Sequence, residues 1–282
     1  MFLSTRLKNA PPPGGRSCRS SGETAVANIS VQHLVKDFSR ADHGALQVIG
    51  DLTFDVRDGE FISILGPSGC GKSTFLSILA GLEQPSGGQI LINEKPFRQN
   101  GNQTRLGFVF QQPRLLNWRS VRRNVILPLE RSGLSLEELQ TLSSRYLELV
   151  RLNGFEEYFP LQLSGGMQAR VAIARALAVE PDVLLMDEPF SSLDEINARK
   201  MRAELIRIWQ QTKKTIVFVT HDISEAVYLS NRLLVVTERP TRVFETLDID
   251  VGYPRNYDDD RLFELSKKVS RIFVKMEERN GN

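Results

Sequence analysis

The chain has 282 residues, enough for one large domain or one and a half, and 41% of them are hydrophobic, an ordinary share for a globular protein. Its 36 Lys and Arg nearly balance its 34 Asp and Glu, so charge gives no argument for nucleic acid, which usually meets a clustered basic face. No apolar run is long enough to cross a bilayer, and two cysteines, Cys18 and Cys70, are too few for a disulfide framework, which favours a reducing compartment.

Residues 1–28 are rich in Ser, Arg, Gly and Pro, and four basic residues precede the first acid, Glu23. This composition resembles that of an organelle transit peptide. A disordered extension, or a start site upstream of the true one, would have the same composition and is the interpretation that we favour.

From Ile29 the apolar pattern becomes that of a folded domain. Short apolar stretches bounded by turn residues predict strands at 29–35, 46–56, 61–65, 89–92 and 106–109. The first two are expected to form one antiparallel pair, and the last two, which follow Gly87 and Gly88, another. Strand 61–65 leads through a glycine-rich loop into a predicted helix at 73–80.

The second half of the chain begins with a helical region at about 121–158, where Ser135 and Glu138 form a capping box. Helices and strands then alternate, which predicts a mostly parallel sheet with helices on both faces. The alternating elements are helix 166–179, strand 182–186, helix 195–211, strand 215–220 and helix 223–229. A last helix at 261–276 carries its apolar residues on one face.

The loop between strand 61–65 and its helix has the spacing of a phosphate-binding loop, which is highly specific in this strand–loop–helix context. Its residues are Gly66, Pro67, Ser68, Gly69, Cys70, Gly71, Lys72, Ser73 and Thr74. Glycines let backbone amides approach the β- and γ-phosphates, Lys72 adds a positive charge, and Ser73 offers a hydroxyl to Mg²⁺. Cys70 is interpreted as a small filler of the loop.

Four further residues have the positions expected of hydrolytic groups. Asp187 ends an apolar strand, where its carboxylate is suited to hold Mg²⁺ through water. The adjacent Glu188 points another way and is the candidate general base for the attacking water. Gln111 is suited to touch both Mg²⁺ and that water, and His221, after strand 215–220, to bond the γ-phosphate.

The ordered set of motifs over about 29–239 resembles the ATP-binding subunit of an ABC transporter, and the loop and the 187–188 pair match its Walker A and Walker B elements. The resemblance implies a P-loop NTPase ABC cassette: an α/β fold with a mostly parallel sheet core, an antiparallel β subdomain and an α-helical subdomain. Phe38 matches the aromatic residue that stacks on adenine, Gln111 the Q-loop, Asp194 the D-loop and His221 the switch histidine. The signature element that binds the γ-phosphate of a partner is matched by Ser164, Gly165, Gly166 and Gln168.

In that family the signature lies too far from its own phosphate loop to reach it, so two subunits pack head to tail around two ATP molecules. The resemblance therefore implies ATP and Mg²⁺ as cofactors, a homodimer, and integral membrane permease subunits as partners. It places the protein peripherally on the cytoplasmic face of the inner (plasma) membrane, with no nucleic-acid partner.

Two segments, 113–125 and the tail around 253–260, are similar to the nitrate, sulfonate and taurine importer group, whose members also use a substrate-binding protein. About forty residues remain after Arg239, too few for the C-terminal regulatory domain usual in sugar and polyamine importers. The expected domains are a cassette at 29–240, with its helical subdomain at about 113–165, and a short tail at 241–282 with an amphipathic helix that forms either a lid or a dimer contact. An importer of another small organic compound such as a thiamine precursor, an exporter of the lipoprotein or cell-division type, and a non-transport ABC ATPase remain alternatives.

Overall fold

The computed structural model describes residues 28–40, 44–97 and 104–280. The expected extension at 1–28 lies, apart from Asn28, outside the described residues. None of the helices in the described ranges is both long enough and apolar enough to cross a membrane.

One mixed sheet organises the described residues. Its strands are β1 (Ile29–Arg40), β2 (Gly44–Val56), β3 (Phe61–Leu65), β4 (Gly87–Ile92), β5 (Lys95–Pro96), β6 (Leu106–Val109), β7 (Val183–Asp187), β8 (Thr215–Thr220), β9 (Arg232–Val236) and β10 (Thr241–Asp248). They are ordered β5-β4-β1-β2-β10-β9-β3-β8-β7-β6. Strands β9, β3, β8, β7 and β6 are parallel, whereas β2, β1, β4 and β5 form an antiparallel extension joined to them through β10.

The helices pack on this sheet and beside it. They are α1 (Lys72–Leu79), α2 (Val121–Ile126), α3 (Leu136–Leu149), α4 (Gly165–Ala178), α5 (Glu195–Thr212), α6 (Ile223–Leu229) and α7 (Asp260–Asn280), with 3-10 turns at Leu127–Leu129 and Pro160–Gln162. The predicted antiparallel pair, the parallel core and the capping box of Ser135 with Glu138 are confirmed. Helices α2 and α3, which come between β6 and α4 in the chain, pack on each other and on α4.

The predicted pairing of strand 89–92 with strand 106–109 is wrong. Strand β4 pairs with β1 and β5, whereas β6 pairs with β7, almost the full width of the sheet away. Parallel pairing of β6 requires a long crossover, so its neighbour comes from residues about eighty positions later rather than from the preceding strand. Strands β9 and β10 were not predicted, although residues 233–236 form a fully buried apolar run.

The parallel core strands are apolar on both faces because both faces are covered. Along β3, Phe61 and Leu65 point into one core, and Ile62 and Ile64 into the other. The first core lies under α4, α5, α6 and α7, and the second lies under α1 and the antiparallel strands. The residues at the ends of these strands are therefore held on a rigid scaffold.

The C-terminal segment packs on its own chain. Helix α7 contacts α6 and buries Leu262, Val269 and Ile272 in the first of these cores, and its Met276 is also buried. Just before α7, the buried guanidinium of Arg255 donates hydrogen bonds to the carbonyl oxygens at the end of α6, where a helix leaves its last carbonyls without partners. The helix is therefore part of the packing of its own chain, and its role as a lid stays a prediction. Strand β10 lies inside the sheet, so the expected boundary at 240 falls between two paired strands.

If α7 is a packed part of the core, truncating a buried residue on it will destabilise the whole chain. We expect Ile272→Ala, at a side chain that is 3% exposed, to lower the free energy of unfolding by about 2–4 kcal/mol. Val274→Ala, on the same helix but 54% exposed, is the matched control and should change it by less than about 0.5 kcal/mol. Urea unfolding of the two full-length variants measures both values, and equal small effects would show that α7 is not part of the core.

Candidate nucleotide site

The phosphate-binding loop leaves β3 and enters α1, as the sequence predicts. Ser68 and Gly69 are exposed at its tip, and Ser73 and Thr74 follow Lys72 in the first turn of the helix. This places the free backbone amides of the helix start at the surface of the loop, which is the arrangement that binds phosphate.

The base of the loop is held by a neighbouring strand. The hydroxyl of Thr241 on β10 donates to the carbonyls of Val48 and Cys70. Gly71 has a φ of +130°, and a Cβ there would lie 2.8 Å from Thr241 Oγ1 and 2.9 Å from Val48 Cγ1. The loop therefore needs glycine at 71 both for its backbone conformation and for its close contact with β2 and β10.

Lys72 is folded back under the loop. Its Nζ donates to the carbonyls of Gly66 and Pro67, each at 2.8 Å, and its side chain is 4% exposed. An ammonium group has three hydrogens, and the third contact of Nζ is only the weak acceptor Sγ of Cys70 at 4.0 Å, so one hydrogen can be given to a phosphate oxygen above the loop.

Glu188 contacts two other predicted site residues. Its Oε2 lies 2.9 Å from Nδ1 of His221, and its Oε1 lies 3.7 Å from Nζ of Lys72. The backbone of Glu188 has a φ of 42°, a left-handed conformation that is uncommon for this residue type and that turns its side chain away from that of Asp187. The carboxylate is 16% exposed, so a water molecule can reach it from one side.

Asp187 and Ser73 form the predicted metal-binding pair. The hydroxyl of Ser73 donates to Oδ1 of Asp187 at 3.0 Å. Burial raises the pKa of the Asp187 carboxyl, and the hydrogen bond from Ser73 opposes that rise. A hydroxyl beside a carboxylate suits Mg²⁺, which takes few protein ligands and completes its shell with phosphate oxygens and water. Within the described residues no cluster of three or more His, Cys, Asp and Glu side chains offers an alternative metal site.

Gln111 follows β6 and reaches the same cluster. Its Nε2 donates to Oγ of Ser191 at 3.2 Å, and Ser191 Oγ in turn donates to the backbone oxygen of Glu188 at 3.0 Å. The amide thus lies against the turn that carries Glu188.

Phe38 lies on β1, half-buried, with Nζ of Lys36 4.6 Å from the centre of its ring. Strand β2, which pairs with it, also contributes Val48 to the base of the phosphate loop.

The predicted signature residues form the start of α4. Ser164 caps the helix by accepting from the backbone nitrogen of Met167 at 3.3 Å, and Ser164 and Gly165 are exposed. The amide nitrogen of Gln168 donates to the carbonyls of Pro160 and Leu163, at 3.0 and 3.2 Å. In this chain Gln168 therefore fixes the turn before the helix rather than reaching outward, and its predicted contact with nucleotide stays a prediction.

Asp194 caps α5 in the same way. It accepts from the backbone nitrogen of Asn197 at 3.0 Å, and this bond is the main reason why the pKa of its carboxyl is lowered. Leu193, next to it, would be 3.4 Å from a Cβ on Gly165, so the turns that begin α4 and α5 lie side by side.

Arg239 lies at the entrance to the phosphate loop and was not predicted. It occupies the exposed turn between β9 and β10, and its Nη2 lies 3.9 Å from the position of a Cβ on Gly69. One feature of the sequence pointed to Arg239 as a site residue: it closely follows β9, the strand beside β3. Residues at such strand ends face ligand sites in α/β sheets.

Residues 49–191 match the family model of the ABC transporter. The chain belongs to this family. An uncharacterized ABC transporter ATP-binding protein of Methanocaldococcus jannaschii is 42% identical over 244 residues, which are 86% of this chain and 90% of the relative. An aliphatic sulfonates import ATP-binding protein of Bacillus cereus is 40% identical over 245 residues, 87% of this chain and 95% of that protein.

Solved structures of ABC cassettes have the same fold. One is a dimeric post-hydrolysis state of an ATP-binding cassette with ADP and phosphate; it is 31% identical, its TM-score is 0.69, and the match covers 79% of this chain and 100% of that one. A second dimeric cassette, from a bacterial ABC transporter by its description, matches with the same TM-score and coverage at 32% identity. The predicted ABC cassette fold is confirmed, and the protein is an ATP-binding subunit whose ATPase activity is coupled to transport.

The geometry of this ABC cassette predicts an unreactive thiol in its phosphate loop. Cys70 is 3% exposed, and burial raises the pKa of its thiol, so less of the reactive thiolate is present at a given pH. We expect iodoacetamide to alkylate Cys70 in the folded protein at least about tenfold more slowly than in urea, because both access and ionisation are reduced. Mass spectrometry of the Cys70 peptide measures both rates, and equal rates would contradict the buried placement.

Proposed function

We propose that this cassette powers the import of small anions or organosulfur compounds of the nitrate, sulfonate and taurine type. The observation that carries this proposal is the 40% identity, over 95% of its length, to a relative named for the import of aliphatic sulfonates. The tail at 253–260 and the segment at 113–125 support it. The substrate itself is bound elsewhere, by the permease and a substrate-binding protein, because the cassette supplies energy and not a substrate pocket.

For hydrolysis, we assign the phosphates to the backbone amides of 66–74 and to the remaining hydrogen of Lys72. Ser73, Asp187 and Gln111 would hold Mg²⁺, which neutralises phosphate charge when it is bound. Glu188 takes the proton of the attacking water, because it is the carboxylate that lies between Lys72 and His221.

His221 contributes a second donor to the same place. Its Nδ1 is 2.9 Å from Glu188, and its ring is half-exposed; with a proton on each ring nitrogen it donates to Glu188 through Nδ1 and to the γ-phosphate through the other nitrogen. Phe38 is assigned to the adenine, and Arg239, beside Gly69, adds a cation near the phosphates.

The site is completed by a second copy of the chain in a head-to-tail pair. Ser164, Gly165 and Gly166 lie at the start of α4, where a helix N-terminus favours an anion, whereas the phosphate loop of the same chain leads into α1. The two solved cassettes that resemble this chain are both dimeric, which supports the assignment. In the pair, the signature of one copy would face the Lys72 and Glu188 of the other, with Asp194 beside it.

The cassette pair would sit peripherally on the cytoplasmic face of the membrane, bound to permease subunits. Closure of the pair on ATP and its opening after hydrolysis would drive the permease between two states. A transporter for a thiamine precursor, or an exporter, would use the same cassette chemistry, so the substrate must be tested directly.

The proposed general base gives the first test. Glu188→Gln keeps the size of the side chain and removes its basicity, so we expect ATP binding within about twofold of the wild type and a turnover reduced by roughly 10² to 10⁴. Glu180→Gln is the control, because Glu180 is a half-exposed carboxylate that pairs with Arg105 and Arg145 at the end of α4. Phosphate release and equilibrium binding of labelled ATP measure the two quantities. Near-normal hydrolysis by Glu188→Gln would eliminate the assignment.

The proposed substrate class gives the second test. The full-length chain would be co-expressed with a candidate permease and a candidate substrate-binding protein from the same genome, and the complex reconstituted in vesicles. We expect taurine or an alkanesulfonate, presented on the binding protein, to stimulate ATP hydrolysis severalfold, and the Glu188→Gln complex to show no stimulation. Stimulation by a thiamine precursor alone would replace the proposed substrate class with that compound. If the chain captures no multi-span permease, the proposal that it powers this permease is refuted.

A further inference from the structure

A buried arginine lies behind the site, on α5. The side chain of Arg202 is 4% exposed, yet its guanidinium touches three carboxylates. Its Nε is 3.2 Å from Glu225, its Nη1 is 3.3 Å from Glu195, and its Nη2 is 3.6 Å from Asp222. A charge at this depth is costly unless it is paired, and replacing such a group with apolar residues is often neutral or favourable for stability. Its presence therefore calls for a role besides stability.

The three carboxylates come from the two segments that carry site residues. Glu195 directly follows Asp194 at the start of α5. Asp222 and Glu225 follow His221 by one and four residues, at the start of α6. Arg202 is thus the cation that joins the turn after Glu188 to the turn that holds His221.

The contact of Arg202 with the turn that holds His221 is fixed by several hydrogen bonds. Glu225 Oε1 accepts from Arg202, while its Oε2 accepts from the hydroxyl of Thr220 at 2.5 Å. The same hydroxyl accepts from the backbone nitrogen of Asp222 at 3.0 Å. These bonds fix the backbone on both sides of His221, so the direction of the imidazole depends on where Glu225 is held.

The turn that leads to α5 is linked to Glu188 through Ser191. Ser191 Oγ bonds to the backbone oxygen of Glu188, and Asp194 begins α5 three residues later. The C-terminal segment provides a third anchor, because Nη1 of Arg202 donates to the hydroxyl of Tyr257 at 3.4 Å. The ring of Tyr257 stacks on that of Tyr228 in α6, with centres 4.0 Å apart and planes at 6°.

We propose that Arg202 is a positioning residue that couples the segment 188–194 to the segment 220–222 and so holds His221 in contact with Glu188. Tyr257 makes the C-terminal segment part of this coupling. The proposal rests on the roles proposed above for Glu188 and His221, and it adds that their mutual placement is set from behind by one buried cation. Movement of the 188–194 turn, or of the C-terminal segment, is then transmitted to His221 through Arg202.

The test compares two arginines of the same helix. Arg207 lies five residues further along α5, where it pairs at 2.6 Å with the buried Glu204 and donates to the carbonyl of Leu149 at the end of α3. Arg207→Gln therefore removes a partly buried ion pair of α5 that does not reach the nucleotide site. Arg202→Gln removes the proposed coupling.

We expect Arg202→Gln to lower kcat for ATP at least about tenfold with KM changed less than about twofold, because misplacing a group by a fraction of an ångström affects the reacting geometry more than binding. Arg207→Gln should leave both constants within about twofold of the wild type, even if its melting temperature falls as far as that of Arg202→Gln. Equal losses of kcat in the two variants, or an unchanged kcat in Arg202→Gln, would overturn the proposal.

A spectroscopic measurement separates positioning from general damage. The chain has three histidines, so its imidazole NMR resonances are few enough to assign. The His221 resonances should shift in Arg202→Gln and not in Arg207→Gln. Unchanged His221 resonances in Arg202→Gln would contradict the proposal whatever the activity.

Two further variants keep the test decisive. If Arg202→Gln does not fold, Glu225→Gln replaces it, because Arg202 then keeps Glu195 and Asp222 as partners. We expect the same loss of kcat and the same shift of the His221 resonances in this variant. Their absence would overturn the proposal. Glu188→Gln is assayed in parallel. If it still hydrolyses ATP, the proposed base is wrong; if it is inactive while Arg202→Gln behaves like Arg207→Gln, only the coupling is wrong.

Discussion

The placement of the Glu188 carboxylate between Lys72 and His221 is the constraint on which the site depends. Glu188 and His221 directly follow β7 and β8, and Lys72 follows β3 through the phosphate loop. The pairing of these three neighbouring parallel strands brings their loops together, with Glu188 3.7 Å from Lys72 and 2.9 Å from His221. Both faces of those strands are buried, which leaves the strand ends little freedom to move. A rigid sheet thereby supplies a preorganised site on short loops.

The surrounding parts of the fold hold these loops in place. Strand β10 holds the phosphate loop through Thr241, and α5 and α6 hold the turns after β7 and β8. The C-terminal segment reaches the back of the same region through Tyr257. A tail that looks peripheral in the sequence therefore shares its packing with the chemistry.

Most of the site could be predicted from the sequence because its motifs are local. The phosphate loop needs glycines and a lysine at fixed spacing before a helix, and the structure places Lys72 and Ser73 where that spacing implies. Glu188 and His221 were expected from their positions at strand ends, and the structure brings them together. Capping residues such as Ser135 were equally accessible, since a cap is an interaction over three residues.

What the sequence could not predict depends on partners far apart in the chain. The pairing of strand 106–109 was wrong because its neighbour lies across a crossover of more than seventy residues, and the hairpin of β9 and β10 was missed between two clear helices. Arg202 carries no local signature, because it is an ordinary charge on a helix until Glu225 and Tyr257 are packed against it. For Arg239 the one signal, its place after a strand, depended on β9, which was itself missed. Gln168 matches the signature spacing, but its amide turns to the carbonyls of Pro160 and Leu163.

If Ser164 of one copy completes the site built on Lys72 and Glu188 of the other, two inactive chains should complement each other. In a mixture of Ser164→Arg and Glu188→Gln chains, each mixed pair contains one site with neither defect and one site with both. We expect equal amounts of the two chains, each inactive alone, to regain about a quarter of the wild-type ATPase activity, since half of the pairs are mixed and each mixed pair has one intact site. A mixture with no more activity than its separate components would contradict it.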